Sequence, residues 1–158
     1  HLIVFDLDGT LVDSYQDIHD ALALALRQVP GGRRSHADDE AALAEGCHGL
    51  PLERFFARAR PDAPDEALRA FIAAYRAHYY SHLLDRTRPF PGVSDGLSRL
   101  RAEPGLFMTV ATTKMTDTAR RVVEASSRRT RSMNSRTPNG LGSTSTMFVA
   151  DRASGSST

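Results

Sequence analysis

Asp6 and Asp8 stand one residue apart, directly behind the apolar run Leu2-Ile3-Val4-Phe5 and directly before Gly9. Four apolar residues in a row read as a short buried strand. Gly9 lets the backbone turn sharply after it. In a parallel α/β sheet the C-terminal end of a strand is where ligands bind. Near the end of an extended segment, side chains at i and i+2 point to roughly the same side. Two acids held there repel each other unless a cation or a proton sits between them. Oxygen donors of this kind suit a hard cation such as Mg²⁺. One carboxylate can also attack phosphorus to form an acyl phosphate, and a second beside it can carry the proton. A bare D-x-D is equally the mark of a strand followed by an acidic turn, so these two residues alone leave both readings open.

A second stretch of this kind lies at residues 106–114. Leu-Phe-Met-Thr-Val-Ala reads as another buried strand, and it ends in Thr112-Thr113-Lys114. A helix is predicted from near Thr116, with Ala119, Val122 and Val123 facing inward. A hydroxyl at a strand end beside a helix N-terminus is well placed to bind phosphate.

Residues 2–14 as a whole, Leu-Ile-Val-Phe-Asp-Leu-Asp-Gly-Thr-Leu-Val-Asp-Ser, resemble the first motif of the haloacid dehalogenase-like (HAD) phosphohydrolases, hhhhDxDGTLxDS. Within that superfamily they look like the phosphoglycolate phosphatase-like branch. The resemblance implies that Asp6 is the nucleophile and that Asp8 is the general acid, then the base. It implies Mg²⁺ held by Asp6 and by the backbone carbonyl of Asp8, with Gly9 and Thr10 at the phosphate. Thr10, rather than an apolar residue, leans toward phosphatase over phosphomutase. Residues 110–114 resemble the second motif, V-A-T-[SN]-K. Thr112 then matches the phosphate-binding hydroxyl, with Lys114 beside it and Thr113 where Ser or Asn is commoner.

The elements that must position these residues read as follows. Asp13-Ser14 can cap a helix. Over residues 15–28 the apolar side chains Ile18, Leu22, Ala25, Leu26 and Val29 fall on one helical face, and Pro30-Gly31-Gly32 stops it. Residues 38–45 read as a short Ala-rich helix, 46–51 as a loop, and 52–60 as another short helix ended by Pro61. Residues 64–84 are the longest helical stretch, with Leu68, Phe71, Ile72, Tyr75 and Tyr79 as an apolar stripe that belongs to a core. This run of helices looks like the family's inserted helical cap, which is expected to close over the phosphate and expel water, with hinges near residues 13–14 and 88–92. The loop at 46–51 would help to select the substrate. His48, with Gly49, could meet a substrate carboxylate or phosphate, although a surface loop histidine is the blander account. Cys47 reads as a small loop or packing residue. Arg88-Pro89-Phe90-Pro91-Gly92-Val93 resembles the family's entry back into the core, and Ser94 is expected to cap the helix that carries Leu97 and Leu100.

From Ala125 the pattern breaks. Residues 126–158 carry nine Ser, five Thr and five Arg with a single Asp, and read as a degenerate or disordered tail. The only Lys in the chain is Lys114, so the third-motif Lys is absent, and no pattern selects among Arg128, Arg129, Arg131 and Arg136 in its place. Residues 146–150 read as a possible strand, and Asp151 after them faintly resembles the fourth-motif metal ligand. The excess of Arg over Lys suggests a GC-rich gene, and the tail reads as the product of a frame slip near residue 125.

Composition bounds the rest. A net charge of +1 argues for no particular partner. No apolar run approaches the roughly 18 residues of a membrane span, and no leader resembles a secretory signal. Cys47 is the only cysteine, so no internal disulfide forms, which fits a reducing cytoplasm. No nucleic-acid or membrane partner is expected. The predicted fold class is α/β, a Rossmann-like parallel sheet with an inserted helical cap. The core is placed at 1–14 and 89–125, the cap at 15–88 and the tail at 126–158. The resemblance implies a Mg²⁺-dependent phosphatase acting on a small phosphorylated metabolite such as phosphoglycolate. The alternative is an impaired fragment that keeps the first two motifs without turnover.

Overall fold

The computed structural model of the chain describes residues 1–29, 42–43, 49–133 and 149–150. In chain order the elements are β1 (Leu2–Phe5), β2 (Val12–Asp13), α1 (Tyr15–Gln28), α2 (Leu52–Ala59), α3 (Asp65–His82), β3 (Arg88–Pro89), α4 (Val93–Arg101), β4 (Phe107–Ala111), α5 (Thr116–Met133) and β5 (Val149–Ala150). The chain divides into two compact units, His1–Ser14 with Thr87–Thr158, and Tyr15–Arg86.

The first unit is an α/β arrangement on a parallel sheet of order β1-β4-β5. Leu2 stands opposite Phe107 and Phe5 opposite Val110, and Val110 in turn faces Val149. Parallel neighbours cannot be joined by a hairpin and need a long crossover. Here that crossover carries the whole second unit and α4. Where the chain leaves the first unit and where it returns, β2 and β3 pair antiparallel, Val12 opposite Pro89 and Asp13 opposite Arg88. The Phe90 N–H extends this ladder by donating to the Leu11 carbonyl at 3.2 Å. Leu7, Leu11, Val12, Val110, Ala119 and Val122 are its buried apolar side chains.

Three expectations need correction. The two strands are not buried throughout: Leu2 and Val4 are 63% and 55% exposed, and Phe107 is 70% exposed. Side chains alternate across a strand, and Leu2 pairs with Phe107, so one face of this sheet stays open to solvent among the described residues. A continuous apolar run cannot tell a strand covered on both faces from one covered on a single face. Ser94 does not cap α4. The N-cap is Gly92, whose φ of 82° suits glycine, and the helix starts at Val93, so Ser94 lies inside it and its carbonyl accepts from the Ser98 hydroxyl at 2.8 Å. The tail does not begin at 126, because α5 runs on to Met133. Arg128, Arg129, Arg131 and Met133 are good helix formers by type, and the Ser126 and Ser127 hydroxyls donate back to the Val122 and Val123 carbonyls.

The second unit is helical. In α1 the predicted face is the observed one: Leu22, Ala25, Leu26 and Val29 are buried, and Ile18 packs partly buried against them. Asp17 sits in its first turn, where a carboxylate suits the helix dipole, and accepts the Arg86 N–H at 3.0 and 3.2 Å. That contact holds the last residue of the unit against its first helix. α2 contributes Phe55, Phe56 and Ala59, and ends as the Arg60 N–H bonds the Phe56 carbonyl. In α3 Phe71 and Tyr79 are buried, and Leu68, Ile72 and Tyr75 are partly buried at the core. Phe71 is the centre of this core, with its ring 4.9 Å from Phe56 and 5.8 Å from Phe55. The predicted helix at 38–45 lies outside the described residues apart from Ala42 and Leu43, which are helical, and Leu43 joins the same core. Among the described residues no helix is long and apolar enough to cross a membrane.

Truncating Phe71 removes the ring on which two others pack. Phe71→Ala should cost about 3–5 kcal/mol of stability, read as a lower urea midpoint with an unchanged slope. A loss below about 1 kcal/mol would show that this aromatic cluster is not the core of the unit.

Candidate active site

β1 ends at Phe5, and the next residue, Asp6, projects into solvent without a hydrogen bond or ion pair among the described residues. The chain then folds tightly on one carbonyl. The Leu7 oxygen accepts from Thr10 at 3.4 Å, Leu11 at 2.9 Å and Val12 at 3.1 Å. Gly9 takes φ 79° and donates its N–H to the Val12 carbonyl at 2.9 Å. The left-handed backbone is the reason a glycine stands there. Leu7, Leu11 and Val12 bury their side chains and anchor this turn, while Gly9 and Thr10 stay exposed at its tip.

Asp8 is held inside the turn. Its Oδ1 accepts the Ser14 hydroxyl at 2.5 Å and lies 3.0 Å from the Lys114 ammonium. Neither contact uses Oδ2. Ser14 is buried, and the Lys114 side chain is only 6% exposed against 27% for Asp8. The ammonium has thus been withdrawn from water to meet this carboxylate.

Lys114 arrives from the other strand. β4 ends at Ala111, and the chain turns through Thr112, Thr113 and Lys114 before α5 begins at Thr116. Thr112 is buried, and its hydroxyl oxygen accepts the Lys114 N–H at 3.2 Å. Among the described residues that bond leaves the hydroxyl hydrogen unused, so Thr112 can still donate to an anion. Thr113 is exposed.

The structure therefore brings Asp8, Thr112 and Lys114 into one connected group, with Asp6, Gly9, Thr10 and Thr113 exposed on the turns that carry it. Gly49 lies in the second unit in a turn with φ 83°. His48, Cys47 and Asp151 lie outside the described residues, as do Arg136 and residues 146–148. Ser14 was legible only as a helix cap. Its bond to Asp8 was missed because a hydroxyl six residues downstream gives no local signal of where it will point. The Lys114 ammonium, expected at the phosphate, lies against Asp8.

A hard divalent cation suits the oxygen donors that Asp6 and Asp8 offer. Among the described residues, no group of three or more acidic, His or Cys side chains could hold a metal. Two donors are a partial shell, and the described residues do not by themselves complete a metal centre.

An α/β protein with its polar cluster at the C-terminal edge of a parallel sheet is the class that this geometry defines. The family model described as haloacid dehalogenase-like hydrolase matches residues 3–129, and the chain belongs to that family. The match also runs past Ala125, where the sequence pattern was expected to break. Among curated proteins, the chain is 34% identical over 123 residues to a phosphoglycolate phosphatase of Caulobacter vibrioides, covering 78% of this chain and 51% of that protein. It is 35% identical over 128 residues to "Probable phosphatase IndB" of Dickeya dadantii, covering 78% of this chain and 53% of that one. The chain spans about half the length of the curated relatives it matches. Among solved structures, a predicted phosphoglycolate phosphatase of Haemophilus somnus superposes with a TM-score of 0.64 at 27% identity, over 78% of this chain and 56% of that one. A haloacid dehalogenase-like hydrolase of Streptococcus pneumoniae gives 0.62 at 26% identity, over 82% and 57%.

Hydrogen bonds to a charged carboxylate are among the stronger ones in a protein. Ser14→Ala should lower stability by about 1.5–3 kcal/mol in chemical denaturation. No measurable loss would mean that the Ser14–Asp8 bond does not persist in solution.

Proposed function

We propose that the chain carries the first half of a phosphatase site and hydrolyses a small phosphate monoester, phosphoglycolate being the first to test. The observation that supports this most directly is the meeting of the two strand ends. The carboxylate of Asp8, two residues after Asp6, lies 3.0 Å from the ammonium that follows Thr112. The similarity to named phosphatases points the same way.

In this reading an Asp6 carboxylate oxygen attacks phosphorus in line, and the bond from phosphorus to the ester oxygen breaks. Asp8 delivers its proton to the departing oxygen, which leaves as an alcohol. A water molecule then attacks the aspartyl phosphate and gives its proton to Asp8. The bond between Asp6 and phosphorus breaks, releasing inorganic phosphate and restoring both acids. Thr112 donates its hydroxyl hydrogen to a phosphoryl oxygen, and the exposed turn at Gly9 and Thr10 would border the phosphate. Such donors matter most where charge builds on the transferring group. Mg²⁺, held by Asp6 and the Asp8 carbonyl with Asp151 as a third donor, would neutralise charge on the phosphoryl oxygens. His48 and Gly49 would help to choose the ester.

Phosphate release from phosphoglycolate should require Mg²⁺, stop with EDTA and return when Mg²⁺ is added back. Asp6→Asn should lower the rate at least ~10³-fold, as loss of a nucleophile does. Equal background in both proteins would mean a chain that keeps the fold without turnover.

A further inference from the structure

We propose that Lys114 is a positioning residue for Asp8, setting which carboxylate oxygen carries the transferred proton. The inference rests on the reading of Asp8 as proton donor given above. Two donors from separate segments of the chain, the Ser14 hydroxyl and the Lys114 ammonium, converge on the same oxygen, Oδ1. A carboxyl group pinned in this way cannot swing about its side-chain torsions without breaking both contacts. Oδ1 is occupied as an acceptor, so the proton of the neutral acid resides on Oδ2. Lys114 is itself anchored. Its backbone N–H is tied to Thr112 Oγ1 at 3.2 Å, and its side chain is withdrawn from solvent. The turn after β4 therefore holds the proton carrier that follows β1. Proton transfer is sensitive to such placement, since a shift of about 1 Å can cost 10²-fold in rate.

The leaving group supplies the test. Alkyl oxygen needs a proton as it departs, while p-nitrophenolate leaves readily without one. The ratio kcat/KM reports only steps through formation of the aspartyl phosphate. In Lys114→Met, kcat/KM for glycerol phosphate should fall at least about 30-fold further than kcat/KM for p-nitrophenyl phosphate, a partial loss of the roughly 10²–10⁴-fold that general acid catalysis contributes. Ser14→Ala should shift the two esters in the same sense. Equal losses on both esters would overturn the proposal and make Lys114 a direct ligand of the phosphate. A crystal structure of Lys114→Met adds a readout independent of turnover. Displacement of the Asp8 carboxyl by about 1 Å or more supports the proposal, and an unmoved Asp8 overturns it. Wild-type activity that survives Asp6→Asn would refute the phosphatase reading alone, and the position of Asp8 in the variant would still decide the role of Lys114.

Discussion

The parallel pairing of β1 with β4 is the constraint on which the rest depends. With Phe5 opposite Val110, both strands end at the same edge of the sheet, and the turns that follow must leave in the same direction. One turn carries Asp6 and Asp8, and the other carries Thr112 and Lys114. An antiparallel pairing of the same two strands would send these turns to opposite edges. The cost of the parallel arrangement is a long connection. The chain meets it by placing a separate helical unit between the strands, so the connection builds a core of its own around Phe71. The β2–β3 ladder secures both ends of that excursion within the first unit.

The ion pair between Lys114 and Asp8 is better understood as a device for position than for stability. At 3.0 Å and an effective dielectric constant of about 20, two unit charges attract by roughly 5 kcal/mol. Withdrawing each charge from water costs several kcal/mol, and ordering a lysine side chain costs about 1.5–2 kcal/mol more. These quantities largely cancel. What survives the cancellation is geometry, because the pair fixes the Asp8 carboxylate against a largely buried ammonium. The Ser14 hydroxyl adds a second, shorter contact to the same oxygen. The lone lysine of the chain thus meets the carboxylate proposed here as the proton carrier.

The same sheet shows how far an apolar pattern can be trusted. Leu2, Val4 and Phe107 read as interior residues by type, yet they are exposed. Their neighbours Ile3 and Met108 face the other way and are partly covered, as alternation along a strand requires. A side chain's hydrophobicity states what it would gain from burial, and its placement in the fold decides whether a covering layer is there to bury it. In α1 and α3 the layer exists, because each helix supplies the other's cover, and there type and burial agree.

Much of this protein was legible in its sequence wherever the signal is local. The helices at 15–28 and 65–82 follow from a period near 3.6 in their apolar residues. The turn after β1 follows from Gly9, whose positive φ only glycine adopts readily. The family follows from a string of thirteen residues and a second short motif. The cap of α4 was misjudged by two residues because Gly92 could end a turn or begin a helix, and sequence does not rank the two. The partners of Asp8 were not legible at all. Ser14 belongs to the end of its own turn, Lys114 comes from a strand a hundred residues away in the chain, and only the parallel register carries them to one oxygen. Residue types and spacing determined which elements form and what chemistry they hold. Tertiary structure alone decided which groups meet, because a contact between distant residues depends on how the strands pair and not on either segment by itself.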